Sequence, residues 1–372
     1  MTVSVESVPS SPQAPFHDDV IYPSPVPFVL VHVACLGALA TGVTTTGLVL
    51  CAALYLLRMF GVSAGYHRYF SHRAFKTSRA GQLALAVLAQ SSAQRGVLWW
   101  AAKHRHHHRH ADTPGDVHSP LHHGFWYAHI GWIFTPQHDQ TDESTIPDLV
   151  RYPELRWLNT NRYVPAFALA AGTLLFAGWS GLVVGFFWST VLLYHGTFMI
   201  NSLAHVHGTR RYVTGDDSRN NWWLALVTLG EGWHNNHHAY MASTRQGFRW
   251  WEIDITYYVL KALSRVGVVW DLNEPPAALV RNEKPLGRGV VEKAARQLAA
   301  GYPTPPIAPP ADEGGAEGSR PHAPALGVLR EHARQMFPAT PSLDEIATRA
   351  REMILQRIGG ECMGPSTVEG AA

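Results

Sequence analysis

Two long stretches of this chain contain no lysine, arginine, aspartate or glutamate: Pro27 to Leu57 and Tyr163 to Leu203. Each is interrupted once, by Gly42-Val-Thr-Thr-Thr-Gly47 and by Gly178-Trp-Ser-Gly181. A helix needs about 20 predominantly apolar residues to cross a bilayer. Each block can therefore supply two short spans joined by a tight turn. The pattern predicts two helical hairpins, with spans over about 27–42, 46–66, 163–179 and 182–202. The competing reading is a soluble helical protein with unusually apolar hairpins.

Charge sets the expected orientation. Neither hairpin turn carries a charge, whereas Arg68, Arg73, Lys76, Arg79, Lys103, Arg105 and Arg109 crowd the segment between the hairpins. Arg210, Arg211 and Arg219 follow the second hairpin. The positive-inside rule then places both termini and the intervening segment in the cytoplasm. The net charge of +2 gives no basic signature for nucleic acid. Cys35, Cys51 and Cys362 are too few and too scattered for a disulfide framework or a structural zinc site. The first 26 residues hold no lysine or arginine, so they lack the charged start of a signal peptide.

The polar segments carry histidine at telling intervals: His67 and His72, His104-Arg-His-His107-His108, Asn201-Ser-Leu-Ala-His205, and His234-Asn-Asn-His237-His238. Positions i, i+3 and i+4 lie on one face of a helix. His104, His107 and His108 therefore project together, as do His234, His237 and His238, and Asn201 shares a face with His205. His106 and His110 point away from the first trio. His67 and His72 diverge on an ideal helix, which predicts a helix end between them. Neutral imidazole is a natural ligand for iron, zinc or copper. A single histidine-rich run is often solvated surface, but two HxxHH faces and two further pairs, all emerging on one side of the membrane, predict a metal centre.

The remaining segments say less. Ala80 to Trp100 is apolar but interrupted by Gln90, Ser91, Ser92, Gln94 and Arg95, which suits a helix packed in the cytosolic part or dipping into the interface. Arg245 to Trp270 mixes aromatic and basic residues, as an interfacial or amphipathic core helix would. Glu274 to Pro324 is rich in Pro, Gly and Ala and reads as a linker. In the tail, Ser342 and Glu345 form a capping box ahead of Leu343, Ile346, Ala350, Ile354 and Ile358 at helical spacing.

HRYFSH, HRHHH, NSLAH and EGWHNNHH, in that order, resemble the integral-membrane fatty-acyl desaturases of the stearoyl-CoA (delta-9) type, in a bacterial-like form. The resemblance runs from about residue 46 to 273 and includes Gly131-Trp132. It implies an all-α integral membrane protein with four transmembrane helices and a cytosolic helical di-iron domain. The domain order would be a polar segment (1–26), the desaturase domain (27–273), a linker (274–324) and a helical tail (325–372). It also implies two iron ions, the first held by His67, His72, His104, His108 and His238. The second would take His107, His205, His234 and His237, with Asn201 acting through water.

The implied reaction inserts a cis double bond, between carbons 9 and 10, using O2 and two electrons. An unactivated C–H bond calls for metal-activated oxygen, which side chains alone cannot provide. Only one Glu-x-x-His pair occurs, Glu231 and His234, so the site differs from soluble di-iron carboxylate bundles. Glu231 and Asp112 are better placed as partners that orient imidazoles. Where acyl-CoA enzymes carry cations for the CoA phosphates, this chain has Ile133-Phe-Thr-Pro-Gln137 and Ala102, although Lys103 follows the latter. The acyl carrier thus stays open between CoA, phospholipid and acyl carrier protein. No haem motif of a cytochrome b5 domain and no ferredoxin cysteine pattern occurs. Electrons are expected from a separate protein such as ferredoxin, rubredoxin or cytochrome b5 with its reductase. A related tri-histidine hydroxylase or oxygenase acting on a lipid or alkane is the nearest alternative; a metal transporter or a membrane scaffold with a structural metal are more distant ones.

Overall fold

The computed structural model describes residues 26–135 and 140–281. The N-terminal polar segment, most of the proline-rich stretch and the tail helix lie outside the described residues. Among the described residues the regular structure is mostly helical, with one two-residue ladder in which β1 (Lys76–Thr77) pairs antiparallel with β2 (Val269–Trp270) and isolated bridges from Asn220 to Thr209 and Trp233.

The first apolar block forms α1 (Val26–Thr41) and α2 (Thr45–Ser71). Gly42, with φ of 70°, makes the turn, and the Thr44 hydroxyl caps α2 by accepting from the Gly47 amide. The second block forms α6 (Val164–Ser180) and α7 (residues 181–201). Its helical geometry breaks at Ala177 and Gly178, where Gly178 takes φ of 60°. Two of the helical segments, Thr45–Ser71 and Val164–His205, are long and apolar enough to cross a membrane. Leu39 on α1 and Leu175 on α6 are 90% and 87% exposed, and such bare apolar faces are unusual for a surface in water.

Helices α2 and α7 run side by side in the same direction. The Thr44 amide donates to the Ser180 hydroxyl (3.2 Å) at one end. Farther along, a Cβ on Gly185 would lie 3.1 Å from Leu50, and one on Gly196 would lie 3.0 Å from the Tyr55 hydroxyl. Helix α1 runs the opposite way, with Phe28 stacked on Tyr194 (5.5 Å) and Gly37 against Val183. Between these helices sits Arg58, fully buried. Its guanidinium donates to the Thr190 hydroxyl (2.7 Å), the Ser189 hydroxyl and the carbonyls of Leu54, Ser91 and Phe186. A cation inside an apolar block is tolerable only with its donors satisfied in this way.

The last eleven residues of α2, Gly61–Ser71, are wound as a π-helix. With bonds from residue i to i−5, five residues make little more than one turn. His67 and His72 thereby come to the same side, although an ideal α-helix would separate them. His72 stands just past the helix end, and its amide donates to the His67 carbonyl (3.2 Å).

The Ala80 to Trp100 stretch is not one helix but two, α3 (Arg79–Gln90) and α4 (Val97–His110), split by a turn in which Ala93 and Arg95 take positive φ. They pack on the π segment, together with α5 (Pro153–Thr160), around Tyr66, Phe70, Leu98 and Leu155. Farther on come α8 (Trp222–Val227), α9 (His234–Ala239) and α10 (Ile255–Arg265). The aromatic and basic stretch is helical only from Ile255, capped by Asp254, while Trp250 and Trp251 precede the helix and are exposed. A final turn, α11 (Ala277–Val280), docks Leu279 against Tyr212 and Phe248, so the first residues of the expected linker are packed.

Candidate metal centre

Four elements deliver the histidines to one place: the end of α2, the second half of α4, the turn Leu203–His205 after α7, and α9. Nine imidazoles gather there in two groups. One contains His67, His72, His104, His108 and His237; the other contains His107, His205, His234 and His238. Helical phase explains the sorting. His104 and His108 are one turn apart and stay together, as do His234 and His238. The i+3 members, His107 and His237, are rotated away and cross to the opposite group. This exchanges His237 and His238 relative to the division implied by the resemblance. Asn201 ends α7 and lines the same cleft as His104. His106 bonds the Gly115 carbonyl and His110 is exposed, so both lie outside the groups.

Each group is ordered from behind. Glu231 accepts from His67 Nδ1, and Asp112 accepts from His205 Nδ1 (2.8 Å). Sequence reasoning reached those two carboxylates but missed Asp116, which accepts from His107 Nδ1 (3.1 Å), and Asp216, which accepts from His238 Nδ1 (2.8 Å). Gln246 also reaches His67 Nδ1 (3.2 Å). The only signal for Asp116 was its place nine residues after His107, in a loop without periodicity; Asp216 sits in a Gly-Asp-Asp turn that is as uninformative.

These bonds fix the tautomers. With Nδ1–H donated to a carboxylate, Nε2 presents a lone pair. Yet His205 Nε2 faces His234 Nε2 at 3.1 Å, and His67 Nε2 faces His237 Nε2 at 3.0 Å. His72, His104 and His108 meet likewise at 2.8 and 2.9 Å. Two nitrogens each about 2.1 Å from one ion, at right angles, would be about 3.0 Å apart. Nδ1 of His108, His234 and His237 and Nε2 of His238 are buried without a hydrogen-bond partner. The converging Nε2 lone pairs, with the unpartnered Nε2 of His238 among them, fit transition-metal ions.

Burial, and then the neighbouring imidazoles, hold the pKa of His72, His104, His108, His234 and His237 well below the ordinary value. The rings are thus neutral and ready to ligate. Burial opposes ionisation of Asp112, Asp116, Asp216 and Glu231, but their paired imidazoles more than offset it and hold them far below the usual carboxylate range. A pH prediction follows from linkage. Because the folded rings resist protonation, the unfolded chain binds more protons below its imidazole pKa of about 6.5. Stability present above that value is therefore lost as pH falls from about 7 to about 5, while the four carboxylates go on contributing down to far lower pH. Thermal unfolding of the metal-free protein in detergent checks this; a midpoint independent of pH in that window would contradict it.

A cleft lined by Trp99, Trp100, Trp132, Tyr194 and Phe198 reaches His104 and Asn201. Trp100 stacks on His104 (4.9 Å), and Trp99 is nearly parallel to Trp132 (6.0 Å). A largely apolar cleft that reaches a metal-ready imidazole suits an apolar substrate.

Known proteins agree with this chemistry. The acyl-CoA C20 Delta5-desaturase of Anemone leveillei is 37% identical over 248 residues, covering 66% of this chain and 79% of the relative. The hex-5-enoyl-[acyl-carrier protein] acetylenase of Moorena producens is 36% identical over 252 residues, 62% of this chain and 78% of the relative. The sn-1 stearoyl-lipid 9-desaturase of Anabaena variabilis is 39% identical over 212 residues, 56% of this chain and 76% of the relative. Residues 44–270, with all the histidine segments inside them, match the fatty acid desaturase family, and the chain belongs to it.

Proposed function

We propose that the protein is a four-span membrane acyl desaturase that introduces a cis double bond, at carbon 9, into an acyl chain held in the tryptophan-lined cleft. The observation that carries the reading is that this cleft reaches Asn201 and His104, a member of the five-imidazole group, which adjoins the four-imidazole group through the rings of His108 and His238 (4.5 Å). His67, His72, His104, His108 and His237 would hold one iron. His107, His205, His234 and His238, with Asn201 through water, would hold the other. The irons, when bound, supply the O2-derived oxidant for C–H cleavage. The chain's residues do the rest. Asp112, Asp116, Asp216 and Glu231 orient the ligands, and the indoles of Trp99, Trp100 and Trp132 hold the chain and exclude water.

The break at Ala177 and Gly178 divides the 42-residue Val164–His205 segment into two crossings, and α1 with α2 supplies the other two. The arginine and lysine distribution puts the site on the cytoplasmic side. Relatives named for acyl-CoA, acyl carrier protein and lipid substrates leave three carriers in play. Ala102 is buried, while the neighbouring Lys103 and Arg95 line the cleft, so the residues there favour none of the three carriers. Electrons come from a separate protein such as ferredoxin, rubredoxin or cytochrome b5.

The fatty-acid profile of cells expressing the chain tests the activity, and purified protein given each acyl carrier in turn identifies the substrate. The expected result is new monounsaturated chains with the double bond between carbons 9 and 10. Hydroxylated chains instead would establish the hydroxylase alternative.

A further inference from the structure

The two groups of imidazoles differ in what stands behind them. In the four-imidazole group, three of the rings donate to carboxylates: His107 to Asp116, His205 to Asp112 and His238 to Asp216. All four rings are buried. Other hydrogen bonds to these carboxylates come from neutral groups: the Ser119 hydroxyl and Asp217 amide on Asp112, the Asp112 amide on Asp116, and the Thr214 hydroxyl and Ser218 amide on Asp216. In the five-imidazole group only His67 meets a carboxylate. That group, Glu231, is also bound by Arg68 through Nη2 (2.9 Å) and Nε (3.1 Å). Arg105 donates to the carbonyls of Phe70 and Ser71 beside His72 and is itself paired with Asp148 (2.7 Å), so it adds little net charge there. His72, His104 and His108 are only partly buried.

We infer that the two metal positions are electrostatically unequal: the four-imidazole position stabilises the oxidised ion, and the five-imidazole position is the one reduced first. The inference rests on the di-iron reading. A carboxylate accepting from a ligand's Nδ1–H makes that imidazole a stronger donor. It also places a negative charge roughly 6–7 Å from the ion, and at an effective dielectric of about 20 that charge shifts a one-electron equilibrium by roughly ten- to a hundredfold. The five-imidazole position has one more ring, but a neutral ligand adds no charge. Arg68 is shared between Glu231 and Asp254, and Asp254 touches no ring of the group. Three carboxylates accepting directly from ligand rings, against one, therefore make the ion among the four rings the harder one to reduce.

The test is a redox titration of the purified, iron-loaded protein, followed by Mössbauer and EPR spectroscopy. Two separate one-electron steps are expected, with one ferric and one ferrous spectrum at half reduction. Asp216→Asn keeps a hydrogen-bond acceptor for His238 but removes the charge. It should raise the lower-potential step by at least tenfold in its equilibrium constant, about 59 mV, and move the other step less. Glu231→Gln should act on the higher step. Asp116→Asn serves if Asp216→Asn fails to retain iron; the unmutated protein tests whether the positions differ, and the variants test which is reduced first. A single two-electron step, or equal shifts of both steps in Asp216→Asn, would overturn the inference. Iron content is read first: fewer than two irons per unmutated chain would refute the di-iron reading itself and this inference with it.

Discussion

Alanine at His237 or at His107 abolishes double-bond formation, by at least about a hundredfold, while the chain still enters the membrane. Removal of a supporting residue alone typically costs 10–100-fold in metal affinity or activity, and these two rings are direct members of the groups. His237 Nε2 lies 3.0 Å from His67 Nε2 and 2.9 Å from His108 Nε2, so its loss opens the five-imidazole group at its centre. His107 is likewise one of only four rings in the other group. The measurements are the unsaturated fraction of cellular fatty acids and the iron content of purified protein. Substantial desaturation in either variant would sink the assignment. His106→Ala and His110→Ala are the matched controls and should retain activity, because neither ring faces the groups.

Arg68→Met has the largest expected effect on stability. Arg68 is 1% exposed and holds together Glu231, Asp254 (3.0 Å) and the Thr244 carbonyl (2.7 Å). Taking it away leaves two carboxylates buried beside the end of α2, and breaking a buried ion pair in this way costs about 3–5 kcal/mol. Arg68→Lys should rescue little, since an ammonium cannot reproduce the fork that serves three acceptors. Thermal unfolding in detergent gives the magnitude. The double variant Arg68→Met with Glu231→Gln should recover part of the loss. Additive losses would show that the two residues do not act as a pair.

Periodicity revealed the parts of this protein that repeat with a helix and missed those that do not. The HxxHH spacing picked out six of the nine histidines of the two groups, the separate pairs His67/His72 and Asn201/His205 the other three, and the charge-free blocks marked α1, α2, α6 and α7. The i, i+4 phase of α9 keeps His234 with His238, whereas the division implied by the resemblance had separated them. Which partner rings each pair meets depends on how α4 faces α9, a packing relation that spacing within either helix does not contain. His67 and His72 come together through π winding, which hydrophobic pattern does not encode. Asp116 and Asp216 lie in loops, where nothing in the local sequence distinguishes a carboxylate beside an imidazole from one in water. The turn at Ala93 and Arg95 was invisible for a related reason, because neither residue is a usual choice for positive φ.

Arg58 bears on how the chain enters the bilayer. An arginine near the middle of a crossing helix adds about 2.5–3.5 kcal/mol to the free energy of insertion. The two hydroxyls that satisfy its guanidinium, Ser189 and Thr190, are synthesised 131 and 132 residues later. When α2 leaves the ribosome, those partners do not yet exist. Stable burial of this guanidinium therefore waits for α7, and a truncation before residue 189 should leave α2 poorly inserted rather than merely inactive.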